Sequence, residues 1–335
     1  MSAPGSILGA FSGQWLPVML AADLGVNPLR VTILGVPVVV WRTGEGKVSA
    51  IVDRCPHRAA KFSDGQIVAN GIRCPYHGWV FDGFGRNPRC DAPLSQPESV
   101  CVDYFSTREL LGIIWIVHGS PTSDPLPELI PISPSIRYAF DDLAAANVLD
   151  IAENFMDITH FAFVHQGTFS QTALAVEPSA LIVQEQSFGF SCEYEVPVLA
   201  SGAFRAFLGD LANSVRIRSL FVAPVSQLFH VTYNTGVQYS SLQTVSPISS
   251  RLSRMIQVAF STDDGLDADL FKTADRAIWD EDKAIVESLQ SLVPDDWHSS
   301  WKSESPPPTP SLRERIAHHM GIFAHTDLNP RDCAI

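Results

Sequence analysis

Long hydrophobic runs are missing from this sequence of 335 residues. No apolar stretch reaches the roughly 18 residues that a membrane-spanning helix needs. The longest, VTILGVPVVVW and LLGIIWIV, are instead typical of buried strands. No basic residue precedes Arg30, so the N-terminus lacks the positively charged start of a secretory signal. These absences predict a cytoplasmic protein that does not bind a membrane.

Basic residues and cysteines are also scarce. The chain has 23 Lys and Arg against 36 Asp and Glu, a net charge of −13, which argues against a nucleic-acid partner because such surfaces are normally basic. Six cysteines over this length, in a cytoplasmic protein, favour metal binding over disulfides. Neither a G-x-G-x-x-G fingerprint nor a plant-type C-x4-C-x2-C run is present. A step that uses a dinucleotide therefore requires another protein.

The order of predicted elements favours an α+β protein of two domains. Short β-branched runs between turn signals extend from about residue 31 to residue 115, and a Pro- and Ser-rich linker follows at 119–137. Beyond it we predict a helix at LDIAENFMDITHFAFVH, several strands, a second helix at ADLFKTADRAIWDEDKAIVESLQSL and a short last helix from about Ser311. We therefore expect an all-β domain at 1–125 and a larger α+β domain at 126–335.

Two Cys/His pairs stand in the stretch CPHRAAKFSDGQIVANGIRCPYHGW. They are Cys55 with His57 and Cys74 with His77, and the Asn-Gly turn between them predicts a hairpin. Loop thiols beside surface histidines, or a structural zinc site, would be alternatives, but zinc fingers usually pair like residues in C-x2-4-C and H-x3-5-H blocks. Mixed pairs fit better with a Rieske [2Fe–2S] cluster, in which two Cys bind one iron and two His bind the other.

A second set of polar residues lies in ENFMDITHFAFVH, which contains Asn154, Asp157, His160 and His165. The two histidines are five residues apart, or about 140° around an ideal helix. They can face one site only if the helix ends or bulges between them, and we predict a π-bulge or a break at that point. A solvated polar face on an unbroken helix is the alternative interpretation.

The sequence AIWDEDKAIVESL offers a carboxylate to join those histidines. Its apolar stripe is formed by Ile278, Trp279, Ile285, Val286 and Leu289. Asp282 falls within this stripe, and we expect it to point inward. The charged neighbours expected to be solvated are Asp280, Glu281 and Lys283. A buried acid is costly unless it is paired or metal-bound, so either a core Arg or Lys or a metal should contact it. Two His and one carboxylate form the non-haem iron(II) triad.

The motifs CPHR and CPYHGW, with the later helix motif and the EDK helix in the same order, resemble the catalytic subunit of Rieske non-haem iron oxygenases. The resemblance covers nearly the whole chain. It implies that the cluster is held by Cys55, His57, Cys74 and His77, and that mononuclear iron(II) is held by His160, His165 and Asp282. Asp157 matches the family's bridging aspartate, which links an iron histidine to a Rieske histidine of the next subunit. Asn154 matches a nearby asparagine of the family.

The resemblance also implies how such a protein works. Family members form head-to-tail homotrimers, use O2, and receive electrons from a separate NAD(P)H-dependent reductase, with or without a ferredoxin. The motifs look most like those of the short O- and N-demethylating monooxygenases, such as vanillate, dicamba and methylxanthine demethylases. A small, largely apolar cyclic or aromatic substrate is therefore expected, to be hydroxylated or demethylated. Ring cis-dihydroxylation, or electron transfer without oxygenase activity, are the alternatives.

The family's catalytic domain is a helix-decorated antiparallel sheet that encloses the substrate pocket. We expect an apolar pocket with few polar anchors. The candidate wall residues are Met156, Phe161, Phe204, Phe207, Leu208, Phe221 and His230.

Overall fold

The computed structural model divides the chain into two compact units, Met1–Pro125 and Leu126–Ile335. It describes residues 12–69, 71–88, 93–121, 124, 126, 136–165, 182–197, 214–234, 236, 238–261, 267–289 and 316. No helix within these ranges is long and apolar enough to cross a membrane. Apart from Ile316, the predicted last helix lies outside the described residues, and so does most of the predicted linker.

In the described residues of the first unit, nine antiparallel strands form two sheets. The strands are β1 (Leu16–Leu20), β2 (Leu29–Ile33), β3 (Val36–Arg42), β4 (Val48–Val52), β5 (Gln66–Val68), β6 (Gly71–Arg73), β7 (Val80–Phe81), β8 (Tyr104–Leu110) and β9 (Ile113–His118). The larger sheet has the order β1-β9-β8-β4-β3-β2, and the smaller one has the order β5-β6-β7. This all-β architecture agrees with the prediction from the short β-branched runs.

Local sequence explains the core of this unit. The run VPVVVW forms β3, and its residues from Val38 to Trp41 are fully buried, as expected for a β-branched strand in the middle of a sheet. The predicted hairpin is formed by β5 and β6, in which Val68 pairs with Gly71, while Asn70 of its turn lies outside the described residues. Phe62 and Phe81 pack together beneath this hairpin, with ring centroids 5.3 Å apart. The same cluster of buried side chains includes Cys55 and Cys74.

The part of the second unit that the structure describes is an antiparallel sheet of seven strands with helices packed on it. The strands are β10 (Ile136–Ala144), β11 (Ile182–Gln186), β12 (Gly189–Pro197), β13 (Ser214–Val222), β14 (Ser226–Tyr233), β15 (Gln238–Ser249) and β16 (Leu252–Phe260), in the order β10-β16-β15-β14-β13-β12-β11. The helices are α1 (Val148–Met156), α2 (Phe161–Val164) and α3 (Ala268–Ser288). Both α1 and α3 pack on the sheet and against each other. The predicted helix-decorated antiparallel sheet is thus confirmed.

The first predicted helix is shorter than expected. It begins at an N-cap, where the Asn147 side chain accepts a hydrogen bond of 2.8 Å from Leu149 N, and it ends at Met156. Asp157 Oδ1 then accepts hydrogen bonds from both the backbone N and the Oγ1 of Thr159, each 2.7 Å long. Such a side-chain turn competes with helical hydrogen bonding and stops the helix.

The break therefore lies at another place than the one predicted. It separates α1 from the single turn of α2, and it precedes His160 instead of falling between the two histidines. His160 is the residue before α2 and His165 is the residue after it. Because α2 is only one turn long, the two side chains are not held to the angular spacing of a long helix.

The helix α3 lies where the sequence predicted it, and Asp142 of β10 fixes its position. Asp142 Oδ2 accepts hydrogen bonds from Trp279 Nε1 at 3.0 Å and from Lys283 Nζ at 2.9 Å. The predicted apolar stripe is wrong at two positions, since the side chains of Ile285 and Leu289 are 42% and 48% exposed. The buried stripe instead follows the residues that face α1 and the sheet, and these include Asp282.

We expect Gly85→Ala to destabilise the first unit by roughly 1–3 kcal/mol. Gly85 has φ +68°, and a Cβ there would lie 1.8 Å from the carbonyl oxygen of Val102. Thermal melting followed by circular dichroism should show a lower melting temperature for this variant. Gly44→Ala is the matched control, because a Cβ at Gly44 has no atom within 4 Å. Equal melting temperatures for the two variants would contradict the close approach of these two segments.

Candidate functional site

The two Cys/His loops of the first unit have the same backbone design. Cys55 N donates to Ala60 O and Ala59 N donates to Cys55 O, each at 2.8 Å. The second loop repeats this pattern from Cys74, with hydrogen bonds of 2.7 and 3.1 Å to the residues five and four positions further on. In each loop the residue four positions after the cysteine has a positive φ, 59° and 75°. The two loops are therefore matched half-sites joined by the hairpin.

The cysteines of these loops are buried and the histidines are exposed. Cys55 and Cys74 are both 2% exposed, whereas His57 and His77 are exposed at the surface with ring centroids 4.4 Å apart. The ring of His57 stacks on Trp79 at 4.4 Å. Burial raises the pKa of Cys55 to about 11, and its neighbour Cys74 adds to the effect, so Cys55 is a neutral thiol that a bound cation would have to deprotonate. A buried thiol pair beside an exposed imidazole pair fits a Rieske cluster.

Residues outside the motif hold the two loops. Asp53 accepts hydrogen bonds from Ser63 N at 2.9 Å and Ser63 Oγ at 2.7 Å, and it pairs with Arg30 at 3.3 Å. On the second loop, Gln96 Oε1 accepts from Val80 N at 2.8 Å and Gln96 Nε2 donates to Val80 O at 2.9 Å. These supports were not predicted, because each joins positions that no local spacing connects.

In the second unit, His160, His165 and Asp282 come together. Their potential ligand atoms all lie within 4.8 Å of one another. The Nε2 atoms of the two imidazoles are 3.2 Å apart, and they lie 3.3 and 3.2 Å from Asp282 Oδ1. The structure thus brings together the three side chains predicted from the sequence. Two imidazoles and one carboxylate on a common centre suit a mononuclear iron(II) with positions left open.

The electrostatics of this group favour a cation. Burial alone would lower the pKa of His160, but hydrogen bonds and charge from Asp157 and Asp282 outweigh it and raise that pKa to about 9. Burial would likewise raise the pKa of Asp282, but His160 and His165 lower it to about 2. A proton on His160 therefore compensates the carboxylates when no metal is bound, and metal binding must displace that proton.

Glu281 also belongs to this centre, and the prediction that it is solvated is wrong. Its Oε2 lies 2.8 Å from His165 Nδ1, on the opposite side of the ring from Asp282. A carboxylate on Nδ1 fixes the tautomer that leaves Nε2 free to bind a metal. Lys283 is half-buried in its pair with Asp142, while Asp280 is exposed as expected. The sequence pattern missed Glu281 because helix periodicity does not show what packs on the neighbouring position.

Asp157 and Asn154 contact two of these three side chains, His160 and Asp282. Asp157 Oδ2 is 3.8 Å from His160 Nδ1, the ring atom that faces away from His165. Burial opposes ionisation of Asp157, but hydrogen bonds from His160 and Thr159 prevail and lower its pKa. Asn154 Nδ2 donates to Asp282 Oδ1 at 3.2 Å. Both predicted residues therefore lie at the centre, as contacts of the proposed ligands.

A cavity with about 620 Å³ of space not filled by atoms, including its open mouth, adjoins the three side chains. Its apolar lining is formed by Phe155, Phe161, Phe229, Val231 and Ile278. Its polar lining beyond the centre includes Gln227, Tyr239, Ser241, Gln243, Gln257 and Asp275. This wall is more polar than the sequence suggested.

Of the predicted wall residues, Phe161 lines the cavity. The other members within the described residues, Met156, Phe221 and His230, do not line it. The predicted residues Phe204, Phe207 and Leu208 lie outside the described residues.

Two family models match the chain in sequence. The Rieske [2Fe–2S] domain matches residues 14–99, and the vanillate O-demethylase oxygenase C-terminal domain matches residues 144–306. The first match covers both Cys/His loops, and the second covers the three converging side chains. Together they define the class of protein as an iron–sulfur oxygenase.

Known proteins of similar sequence and fold agree with that class. Methylxanthine N1-demethylase NdmA of Pseudomonas putida is 28% identical over 296 residues, which cover 82% of this chain and 80% of that protein. The oxygenase component of dicamba O-demethylase from Stenotrophomonas maltophilia is 36% identical over 163 residues, 45% of this chain and 47% of the relative. The crystal structure of dicamba monooxygenase with non-haem iron and dicamba shares the fold, with a TM-score of 0.70 at 22% identity over 93% of this chain and 96% of that one.

The chain belongs to the Rieske non-haem iron oxygenase family. The matched Rieske domain implies a [2Fe–2S] cluster, and His160, His165 and Asp282 could hold a mononuclear metal ion. The chain spans about half or less of the length of several curated relatives that it matches.

We expect Glu281→Gln to weaken iron(II) binding at the mononuclear centre by about 10- to 100-fold, because His165 loses the carboxylate that orients its ring. Equilibrium dialysis of the iron-depleted protein against buffered iron(II) would measure this change. Asp280→Asn is the matched control, since that side chain is on the adjacent position of α3 and is exposed. Equal affinities for the two variants would show that Glu281 does not orient His165.

Proposed function

We propose that this protein is the terminal oxygenase component of a monooxygenase that hydroxylates or O- or N-demethylates a small cyclic or aromatic substrate. The observation that carries the proposal is the convergence of His160, His165 and Asp282 beside a cavity, in a chain that also has the two Cys/His loops. A carrier of electrons alone has no use for a second set of metal ligands next to a ligand-sized space.

The proposal assigns each cofactor to one unit. In residues 1–125, Cys55 and Cys74 would bind one iron of the cluster, and His57 and His77 would bind the other. In residues 126–335, His160, His165 and Asp282 would bind the mononuclear iron(II). When bound, the cluster supplies electrons one at a time and the mononuclear iron supplies oxygen activation. The protein's own groups then orient the substrate, exclude water and hold the ligands in place.

Asp157 is proposed to connect the two kinds of centre between subunits. It is ionised and lies behind His160, while His57 and His77 are exposed on their own unit. An exposed imidazole can approach a carboxylate of a neighbouring chain, as the family's head-to-tail homotrimer requires. Asn154 would hold Asp282 in position through its hydrogen bond. We therefore propose the homotrimer as the working assembly.

The reaction proposed for a methyl group on oxygen or nitrogen consumes O2, two electrons and two protons. One oxygen atom enters a C–H bond of the methyl group and the other leaves as water. The resulting hemiacetal or hemiaminal then breaks its C–O or C–N bond, which releases formaldehyde and the demethylated product. Simple hydroxylation ends at the first product. The two similar proteins are a methylxanthine N1-demethylase and the oxygenase component of a dicamba O-demethylase, which favours demethylation.

The electrons are proposed to come from a separate reductase, with or without a ferredoxin between them. The sequence contains no dinucleotide fingerprint, and the dicamba relative is named as an oxygenase component. A cytoplasmic location, where NAD(P)H is available, is consistent with this arrangement and stays a prediction.

We expect the anaerobically purified, iron-replete protein to contain about three iron and two acid-labile sulfide per chain. His160→Ala should contain about two iron and two sulfide, because it keeps the cluster and loses the mononuclear iron. It should also lose formaldehyde release with a surrogate reductase and a methylated substrate. A wild-type ratio of about two to two that resists loading with iron(II) would contradict the oxygenase and favour an electron carrier.

Asp157→Asn tests the proposed connection between centres. We expect this variant to keep its iron and sulfide but to lose roughly tenfold or more of its turnover rate, because a neutral amide cannot pair with a ligand histidine as the carboxylate does. Re-oxidation of the dithionite-reduced cluster by O2 in the presence of substrate, followed by visible absorbance, should slow in parallel. Re-oxidation at the wild-type rate would show that Asp157 is not on the electron route.

A further inference from the structure

A buried carboxylate lies in the cavity wall away from the proposed iron ligands. Asp275 is 8% exposed and lines the cavity from α3. It precedes Asp282 by seven positions on that helix, so the two acids share one face and are separated by two turns, roughly 10 Å along the axis. The same helix face thus presents one carboxylate to the two histidines and another to a distant part of the cavity.

The hydrogen bonds of Asp275 are concentrated on one of its oxygens. Tyr138 Oη donates to Oδ2 at 2.8 Å, and Tyr239 Oη and Gln257 Nε2 donate to the same atom. Burial raises the pKa of both tyrosines above the usual range, so they remain neutral donors. Within the described residues no hydrogen bond reaches Oδ1. Three donors therefore fix the carboxylate while one oxygen is left for a ligand.

Two amide oxygens of the cavity wall are also without a donor. Gln227 is 1% exposed, and its Nε2 donates to Ser219 Oγ at 3.0 Å and to Phe155 O, while no group in the described part of the chain donates to its Oε1. Asn154 gives its Nδ2 to Asp282, and its buried Oδ1 likewise has no described donor. An unsatisfied buried acceptor costs about 1–3 kcal/mol, which a hydrogen-bond donor on a ligand would offset.

The charges of the cavity lining also favour a ligand that donates hydrogen bonds. Among the described residues, no Lys or Arg lines the cavity, whereas Asp275 and Asp282 both do. At the end of the cavity away from the iron ligands, a carboxylate on the ligand would face Asp275, and no Lys or Arg among the described residues lines the cavity to pair with it. A cationic or N–H group would instead meet acceptors that are already held in place. Fixed acceptors bind such donors strongly, because little reorganisation is needed.

We propose, on the basis of the oxygenase function proposed above, that Asp275 binds a cationic or N–H donor group of the substrate, with Gln227 as a second acceptor. The substrate class is then a basic nitrogen compound, such as a ring that carries an amine or an amidine, and not an aryl carboxylate. The spacing of two helical turns suits a molecule of one or two rings that reaches from Asp275 to the iron ligands. Tyr138, Tyr239 and Gln257 are positioning residues, since they act through Asp275.

The test compares three probes of one shape: 4-methoxybenzylamine, 4-methoxytoluene and 4-methoxybenzoate. Binding to the full-length, iron-replete protein is measured anaerobically by equilibrium dialysis, without reductase, so that no turnover is needed. We expect the ammonium probe to bind about tenfold or more tighter than the neutral probe, as a charge-assisted hydrogen bond implies, and the carboxylate probe to bind most weakly.

Variants then locate the preference. Asp275→Asn keeps the shape of the side chain and removes its charge, so the preference for the ammonium probe should disappear. Asp280→Asn removes an exposed acid of the same helix and should leave the preference unchanged. If Asp275→Asn does not fold, the ranking of the three probes on the wild-type protein still decides the matter.

Each outcome separates this inference from the proposed function. Equal binding of the three probes, tightest binding of the carboxylate, or no binding of the ammonium probe would overturn the role of Asp275, even if formaldehyde is released from 4-methoxybenzoate. A clear ammonium preference that is lost in Asp275→Asn supports that role, even if none of the probes yields formaldehyde and the proposed monooxygenase reaction fails.

Discussion

The buried carboxylate of Asp282 is the constraint on which the second unit depends. A carboxylate removed from water is costly unless cations or donors surround it, and here His160 and His165 both lie within 3.3 Å of one oxygen. The contact requires α3 to lie against the segment that joins α1 to α2. It also requires that segment to leave the helix, which the Asp157–Thr159 turn brings about. The same helix packing and helix break therefore determine both the fold of this region and the positions of the three proposed ligands.

The first unit brings its candidate ligands together through segments that are close in sequence. Its four candidate ligands come from two loops that repeat the same backbone hydrogen bonds, and a hairpin of short strands joins them. Because backbone geometry within each loop sets where Cys55 and Cys74 point, the spacing of residues along the chain already carries most of the information. The ligands of the mononuclear centre are not close together in sequence. α3 lies more than 100 residues after the two histidines, as the contact between His165 and Glu281 shows.

This contrast explains what could be predicted from the sequence. Periodic and spaced signals succeeded: the strands of both units, the Cys/His hairpin, α3, and the inward direction of Asp282 within an apolar stripe. Features that depend on side-chain hydrogen bonds or on packing between distant segments did not follow from pattern. The helix break before His160 depends on the contact between Asp157 and Thr159, and Glu281 was assigned to solvent because nothing in the sequence shows that His165 packs against it. The exposure of Ile285 and Leu289 has the same origin, since the helix presents more apolar positions than its neighbours cover.

One face of α3 carries both acids of the cavity, and this has a structural consequence. A helix is stiff over two turns, so the position of Asp275 cannot change without moving Asp282. The register of α3 against the sheet therefore fixes the ligand geometry and the polar end of the cavity at once. Asp142 sets that register, because its carboxylate holds Trp279 and Lys283 on either side of the turn that bears Asp282. Asp142 touches neither a metal ligand nor the cavity, and it thus positions both acids of α3 together.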